Sequence, residues 1–289
     1  EPCAHHGRTP PCAEALVAAG IARVVSAAAD PDARVNGRGH AILQAGGLSV
    51  TPSVLSEAAA QPLSGYLARV MKKRPEVTLK MALSKDGKIG RAGGGQVFIS
   101  GPVSNAQTHL VRARHDAILV GVGTLIEDDP SLTCRAPGLT DRSPLRIVLD
   151  ARLETPLDAT LVRTARDVPT ALAIVAGIGS DDLAPFRAAG CDFIACEAEP
   201  GTERIALEEM LEDLAARGIS SILVEGGAKT GAAFLAQGLV DRIILVEGEI
   251  VVGEDGVSAP LGCSVTPQGF RKTRELRLGG DVWREYEKG

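Results

Sequence analysis

The sequence predicts an α/β fold built on a mostly parallel sheet. Apolar runs of strand length recur: Ala117-Ile118-Leu119-Val120, Arg146-Ile147-Val148-Leu149-Asp150, Ala171-Leu172-Ala173-Ile174-Val175 and Ser221-Ile222-Leu223-Val224. They read as buried strands. Stretches of helical character, Pro102 to Arg114 and Glu203 to Arg217, lie among them, and alternating strands and helices imply a parallel sheet. Two strands also run into glycine turns that open helices, at Gly121-Val122-Gly123-Thr124 and at Glu225-Gly226-Gly227.

The elements follow in order. Cys12 to Gly20 reads as a helix stopped by glycine, and Val24-Val25 as a short strand broken by Asp30-Pro31-Asp32. A helix over Gly37 to Gly47 and a strand at Leu48-Ser49-Val50 complete a half-domain with too few strands to close a sheet. Residues 52–75 read as helix and connector, ending on Lys72-Lys73-Arg74-Pro75. The expected division is a partial domain over 1–60, a connector over 61–75 and a complete domain over 76–289. The second domain opens on the strand Val77 to Leu83 and the turn Ser84 to Lys88. Extended strands are expected over 242–252 and 270–287, the latter folded at Gly279-Gly280-Asp281.

Composition removes several function classes. The 289 residues are 45% hydrophobic, with 23% charged residues and a net charge of -5. That is ample for a core and excludes a disordered chain. No stretch approaches the roughly 18 unbroken apolar residues of a membrane span. A mildly acidic chain with 3% aromatic residues lacks the basic patches and stacking platforms of nucleic-acid binders. Six cysteines are too sparse for a disulfide scaffold and fit a reducing cytoplasm. No nucleic-acid or membrane partner is expected.

Each glycine turn has two readings. It is either an economical loop, or a place where backbone N–H groups at a helix N-terminus approach an anion. Gly121-Val122-Gly123 lacks the third glycine of a dinucleotide fingerprint, and Lys229-Thr230 lacks the glycine and upstream spacing of a P-loop. Two such turns in one domain point to an anionic ligand such as a dinucleotide. Glu225 ends an apolar strand, where a buried carboxylate needs a partner; otherwise it caps a helix. Lys80 lies inside an apolar strand, unless that strand is a solvated edge. His109, Arg112, Arg114 and His115 cluster on and just after one helix, with Arg135 beyond Asp128-Asp129-Pro130-Ser131-Leu132-Thr133. Two of these arginines could hold a phosphate ester, since guanidinium binds it bidentately.

Cys3 and Cys12 flank a His-rich segment near a helix start, a setting that suits zinc thiolates. Cytosine-type deaminases use His-x-Glu followed by Pro-Cys-x-x-Cys; here eight residues separate the cysteines. Glu1-Pro2-Cys3-Ala4-His5-His6-Gly7-Arg8-Thr9-Pro10-Pro11-Cys12 closely resembles the zinc motif of the bifunctional riboflavin-biosynthesis deaminase/reductases. The resemblance continues through Asp30-Pro31, Val35-Asn36-Gly37-Arg38-Gly39, Leu79-Lys80, Ser84-Lys85-Asp86-Gly87, Asp128 to Thr133, Arg146 to Asp150 and Val224-Glu225-Gly226-Gly227. It spans essentially the whole chain.

The resemblance implies the second half of a cytidine-deaminase-like domain, followed by a dihydrofolate-reductase-like domain. The latter would use NADPH to convert the ribosyl moiety of a phosphoribosylaminopyrimidine into a ribityl chain. Carried over by position, Ala82, Phe98, Thr124, Asp128, Ala151 and the turn Gly227, Ala228, Lys229, Thr230, Gly231, Ala232 and Ala233 face NADPH. Gln96, Arg112, Leu132, Arg135 and Glu225 face the substrate, with Lys80 and Glu225 as the polar pair supporting ring opening and protonation. At Gln96 and Phe98 the expectation from relatives is Ser and Trp. Cys3 and Cys12 would be zinc ligands, but the family's His ligand and catalytic Glu lie on an upstream helix that this sequence does not contain. As written the chain is expected not to deaminate, and a truncated bifunctional parent is the expected explanation. The alternative is a reductase with a residual, non-catalytic zinc module. A homo-oligomer formed through the reductase domain is also expected.

Overall fold

The computed structural model describes residues 1–93 and 95–289. The chain divides into two compact units, Glu1–Arg74 and Pro75–Gly289.

In the first unit, α1 (Cys12–Ala18), β1 (Arg23–Val25), α2 (Arg38–Ala45) and β2 (Ser49–Thr51) form a small helix–strand repeat with β1 and β2 parallel, followed by α3 (Ser56–Ala60) and α4 (Ser64–Lys72). Its core is small: Ala13, Leu43 and Leu48 are buried, with Leu16, Val17 and Val24 packed against them. Gly46 has to be glycine, because a Cβ there would run into Val17.

The second unit contains the strands β3 (Glu76–Leu83), β4 (Lys88–Arg91), β5 (Ala117–Gly121), β6 (Leu145–Leu149), β7 (Thr170–Val175) and β8 (Asp192–Cys196). These are followed by β9 (Ser221–Glu225), β10 (Arg242–Glu247), β11 (Gly256–Ser258), β12 (Phe270–Leu278) and β13 (Asp281–Lys288). Its helices are α5 (Pro102–Arg112), α6 (Val122–Asp128), α7 (Thr160–Arg163), α8 (Ser180–Ala189), α9 (Leu207–Ala216) and α10 (Ala228–Ala236).

Among the described residues, the main sheet has nine strands in the order β12-β13-β10-β3-β9-β5-β6-β7-β8. It is parallel from β10 to β8, and the β12–β13 hairpin adds antiparallel strands at one edge. A side-chain period of two sends alternate residues to opposite faces. On β7, Ala171 and Ala173 join the core covered by Leu211 and Leu214 of α9 and Phe234 of α10. Leu172 and Ile174 join the one covered by Val111 of α5, Leu161 of α7 and Phe186 of α8. The result is a three-layer domain of the α/β class, with the mostly parallel sheet that the sequence predicts.

Two local expectations are corrected, and one pair of elements is new. The strand expected over 242–252 ends at Glu247: Gly248 packs against the Ile99 carbonyl, and the Asp86 carboxylate takes the N–H groups of Val252 and Gly253. β3 lies between β10 and β9 in the sheet interior, so Lys80 is not a solvated edge lysine. The α8–β8 pair was not anticipated, for Pro185 sits inside α8 and β8 is a half-exposed outer strand. No helix among the described residues is long and apolar enough to cross a membrane.

Candidate active site

Lys80 on β3 and Glu225, the last residue of β9, are register partners on adjacent parallel strands. Paired residues in register project from the same face, so backbone geometry alone brings an ammonium and a carboxylate together. The Lys80 Nζ to Glu225 Oε2 distance is 3.9 Å, and each side chain is 11% exposed. Arg112 closes α5 above them. Its Nε donates to Glu225 Oε1 at 2.7 Å and its Nη2 to Oε2 at 2.9 Å, while Nη1 donates to the Thr133 carbonyl at 3.1 Å. Glu225 is therefore an ion-paired carboxylate rather than a helix cap.

A buried charge survives only when paired. Burial opposes ionisation of Glu225, but the Arg112 guanidinium and the Lys80 ammonium hold its carboxyl down at about 2. Lys80 responds in the opposite sense. Burial, aided by the Arg112 charge and opposed by Glu225, lowers its pKa below the ordinary lysine value. Burial also lowers the pKa of His109, with Arg112 and Arg135 adding to the effect; that of Asp128 is raised by burial and by Glu127.

The two glycine turns lie side by side because β5 and β9 are neighbours, and each receives a threonine from the other. A Cβ on Gly121 would stand 2.5 Å from Thr230 Oγ1, and one on Gly227 would stand 2.8 Å from Thr124 Oγ1. The Gly227 N–H donates to Thr124 Oγ1 at 3.0 Å. Gly226 has φ +138°, and a Cβ there would crowd Thr124 and Val120. Gly226→Ala should therefore cost about 1–3 kcal/mol in backbone strain. In a domain of this size that lowers Tm by roughly 2–4 °C per kcal/mol; a thermal melt with an unchanged midpoint would refute the packing argument. Above the turns opens a cavity of about 700 Å³, with Lys80, Arg112 and Glu225 in its wall.

A family profile described as the RibD C-terminal domain matches residues 75–280. The chain belongs to the RibD family. Riboflavin biosynthesis protein RibD of Actinobacillus pleuropneumoniae is 37% identical over 267 residues, spanning 91% of this chain and 68% of that protein. The RibD of Aquifex aeolicus is 33% identical over 284 residues, spanning 98% and 77%. Among solved structures, Acinetobacter baumannii RibD superposes with a TM-score of 0.85 at 29% identity, covering 100% of this chain and 79% of that one. A Thermotoga maritima protein named as a diaminohydroxyphosphoribosylaminopyrimidine deaminase/5-amino-6-(5-phosphoribosylamino)uracil reductase superposes at 0.82 with 27% identity, covering 100% and 78%. The matched part of the chain is thus a RibD domain, an enzyme domain of riboflavin biosynthesis.

Most of the residues singled out from the sequence line the cavity of this RibD domain. Of the expected substrate contacts, Gln96, Arg112, Leu132, Arg135 and Glu225 are in its wall. So are Ala82, Phe98, Thr124 and Asp128, together with Gly227, Ala228, Lys229 and Thr230 at the start of α10. Four expected cofactor contacts lie elsewhere. Ala151 and Ala233 pack against the core, and Gly231 faces Leu79, Met81 and Pro260. Ala232 lines a separate small groove with Leu235 and Pro260. The reason is helical periodicity: only the first turn of α10 faces the cavity, and later residues rotate away. Phe98 is 73% exposed at the rim.

Cys3 and Cys12 do meet, the Cys12 N–H donating to Cys3 Sγ at 3.1 Å. That backbone hydrogen bond lowers the Cys3 pKa, whereas the neighbouring Cys3 raises that of Cys12. His5 Nδ1 is buried without a partner. Among the described residues, however, no three potential ligands gather into a metal site. The residues present do not fit a complete zinc centre.

One feature escaped the sequence reading. Arg146 was read only as part of a strand, yet it is fully buried and donates to the carbonyls of Ser131, Leu161, Thr164 and Val168. An arginine within an apolar strand was the available signal, the same oddity that singled out Lys80. His109 also lines the cavity, and its Nδ1 lies 3.2 Å from both the Thr133 carbonyl and the Arg135 N–H.

Proposed function

We propose that this chain reduces 5-amino-6-(5-phosphoribosylamino)uracil to its ribitylamino product with NADPH. The observation that supports this most directly is the Lys80–Glu225–Arg112 cluster in the wall of one cavity beside two glycine turns, in a RibD-family domain.

The residues present fit a dinucleotide. Gly226 and Gly227 leave no room for side chains beside Thr124, which keeps the backbone bare at the N-terminus of α10. The first N–H groups of a helix have no intrahelical partner, and Ala228, Lys229 and Thr230 border the cavity there. These groups would hold the diphosphate, with Thr124 and Ala82 along the remainder. The chemistry that NADPH supplies when bound is a hydride, and the ribose C1′ carbon is its acceptor.

The chain's own residues prepare that carbon. As the ribosylamine nitrogen expels the ring oxygen, Lys80 donates a proton to that oxygen, which becomes the free hydroxyl of the opened sugar. Positive charge develops at C1′ and its nitrogen, and ionised Glu225 stabilises it electrostatically. Because Glu225 is held near 2, it serves as a fixed anion and not as a proton donor, which refines its expected role. Arg112 keeps the carboxylate aimed, and Arg135 with Gln96 would hold the phosphoribosyl group.

Binding of NADPH to the purified chain, followed by calorimetry or cofactor fluorescence, tests the reading, with saturable binding expected. No binding overturns it. Trp283 is fully buried on β13 and outside the cavity wall, so its emission is the weaker probe. A deaminase step belongs to the longer arrangement that the resemblance implies. Among the described residues no third potential ligand gathers beside Cys3 and Cys12, so the reading assigns this chain the reductase step and routes no step through zinc. The sparse cysteines, six in 289 residues, support a reducing, cytoplasmic setting. Light scattering would show the homo-oligomer expected from the resemblance.

A further inference from the structure

Beside the cavity runs a segment whose backbone is held in an unfavourable conformation. Asp129 has φ +37° and Leu132 φ +51°, both left-handed and neither glycine. Such conformations persist only where surrounding contacts over-determine them. Pro130 and Leu132 form part of the cavity wall, and Leu132 is 3% exposed. The next residue, Thr133, offers its carbonyl to Arg112 Nη1, the guanidinium that aims Glu225. The shape of this segment therefore sets both a wall of the cavity and the back support of its charged cluster.

Two groups hold the segment, and the reduction chemistry uses neither. The Asp129 carboxylate accepts the Thr160 N–H on Oδ1 and the Thr160 hydroxyl on Oδ2, both at 2.7 Å, tying the segment to the start of α7. Arg146 braces the same junction from beneath. Its Nη1 reaches the Ser131 carbonyl at 3.2 Å and Thr164 Oγ1 at 2.9 Å, and its Nη2 reaches the Leu161 and Val168 carbonyls at 3.2 and 2.8 Å. Burial lowers its pKa to about 10, so it stays charged at neutral pH, with its hydrogen bonds going to carbonyls and hydroxyls from the two segments it joins.

We propose that Asp129, braced by Arg146, is a positioning residue: it clamps residues 129–133 onto α7 and so fixes Leu132 and Arg112 for the substrate. The clamp acts on the substrate side of the cavity and leaves the first turn of α10, the dinucleotide side, untouched. Its catalytic meaning rests on the reductase reading above, but the clamp itself does not.

The test compares wild type with Asp129→Ala, Asp129→Asn and Thr160→Val. Asn tolerates the left-handed conformation and can still accept the Thr160 N–H, whereas Ala does neither. Hydrogen exchange should show the amides of residues 131–135 opening about 10-fold faster in Asp129→Ala, with those of β5 and β6 unchanged. Substrate KM should rise about 10-fold while the NADPH Kd stays within twofold, a split that general destabilisation would not give. Asp129→Asn should recover most of both effects. Should Asp129→Ala fail to fold, Thr160→Val, which removes one of the two hydrogen bonds, should give a smaller change of the same pattern. Unchanged exchange across 131–135, or a parallel loss of substrate and NADPH binding, overturns the proposal. A wild-type chain that consumes no NADPH overturns the reductase reading instead, and the exchange result still decides the clamp.

Discussion

Glu225→Gln is expected to destabilise the second unit by about 3–5 kcal/mol, the cost of leaving a buried partner charge unpaired. It should also cut reductase turnover by about two orders of magnitude, as loss of a preorganised electrostatic group does. The substitution keeps the shape of the side chain but strands the Arg112 and Lys80 cations with no carboxylate. The pH dependence fixes the sign. The folded pKa of Glu225, about 2, lies below its ordinary value of 4.5. The stabilisation is therefore fully present above the ordinary value and is lost as pH falls from there toward 2. Urea unfolding of wild type and Glu225→Gln should show a gap that is wide at pH 7 and narrows through this acidic window. A gap that is independent of pH, or turnover within twofold of wild type, would remove Glu225 from its place at the centre of the cluster.

Lys80→Met is expected to separate activity from stability. Turnover should fall about 10²–10⁴-fold, the range for loss of a general acid. Yet the Glu225–Arg112 pair remains intact, and a buried ammonium whose pKa is depressed is a net burden on the fold while it is protonated. The variant's unfolding midpoint at neutral pH should hold or rise. Wild-type turnover should lose its acid form on an alkaline limb below the ordinary lysine value of 10.5, and Lys80→Arg should shift that limb upward. An alkaline limb that stays in place in Lys80→Arg would reassign the proton to another donor.

How legible the site was depended on how local its causes were. The strands at Ala117, Arg146, Ala171 and Ser221 stood out because each is an apolar run of the right length, and the structure places all of them in one sheet. Lys80 and Glu225 stood out because charge in an apolar strand calls for a partner. Their pairing came only from the family resemblance; the residues alone could not give it, since it depends on β3 and β9 becoming neighbours, a long-range choice of strand order. The interlock of Thr124 with Gly226 and Gly227 was hidden for the same reason; the glycines suggested a ligand, and part of their cause is a threonine from the adjoining turn. The α10 contacts were carried over as a contiguous run, whereas the helix shows only its first turn, Ala228 to Thr230, to the cavity. Asp129 was invisible as a clamp, its partner Thr160 lying on a four-residue helix that no periodicity announces.

The register of β3 against β9 has a consequence for how activity arises. Lys80 and Glu225 lie far apart in the second unit's sequence and meet only when those two strands align residue for residue. A slip of either strand by one position would turn its side chain to the other face and separate the pair. No fragment that lacks either strand can assemble the pair, and no partly formed sheet can hold half of it. During refolding, turnover should therefore return in a single late phase together with the long-range sheet, which makes the enzyme's own catalysis a readout of correct strand alignment.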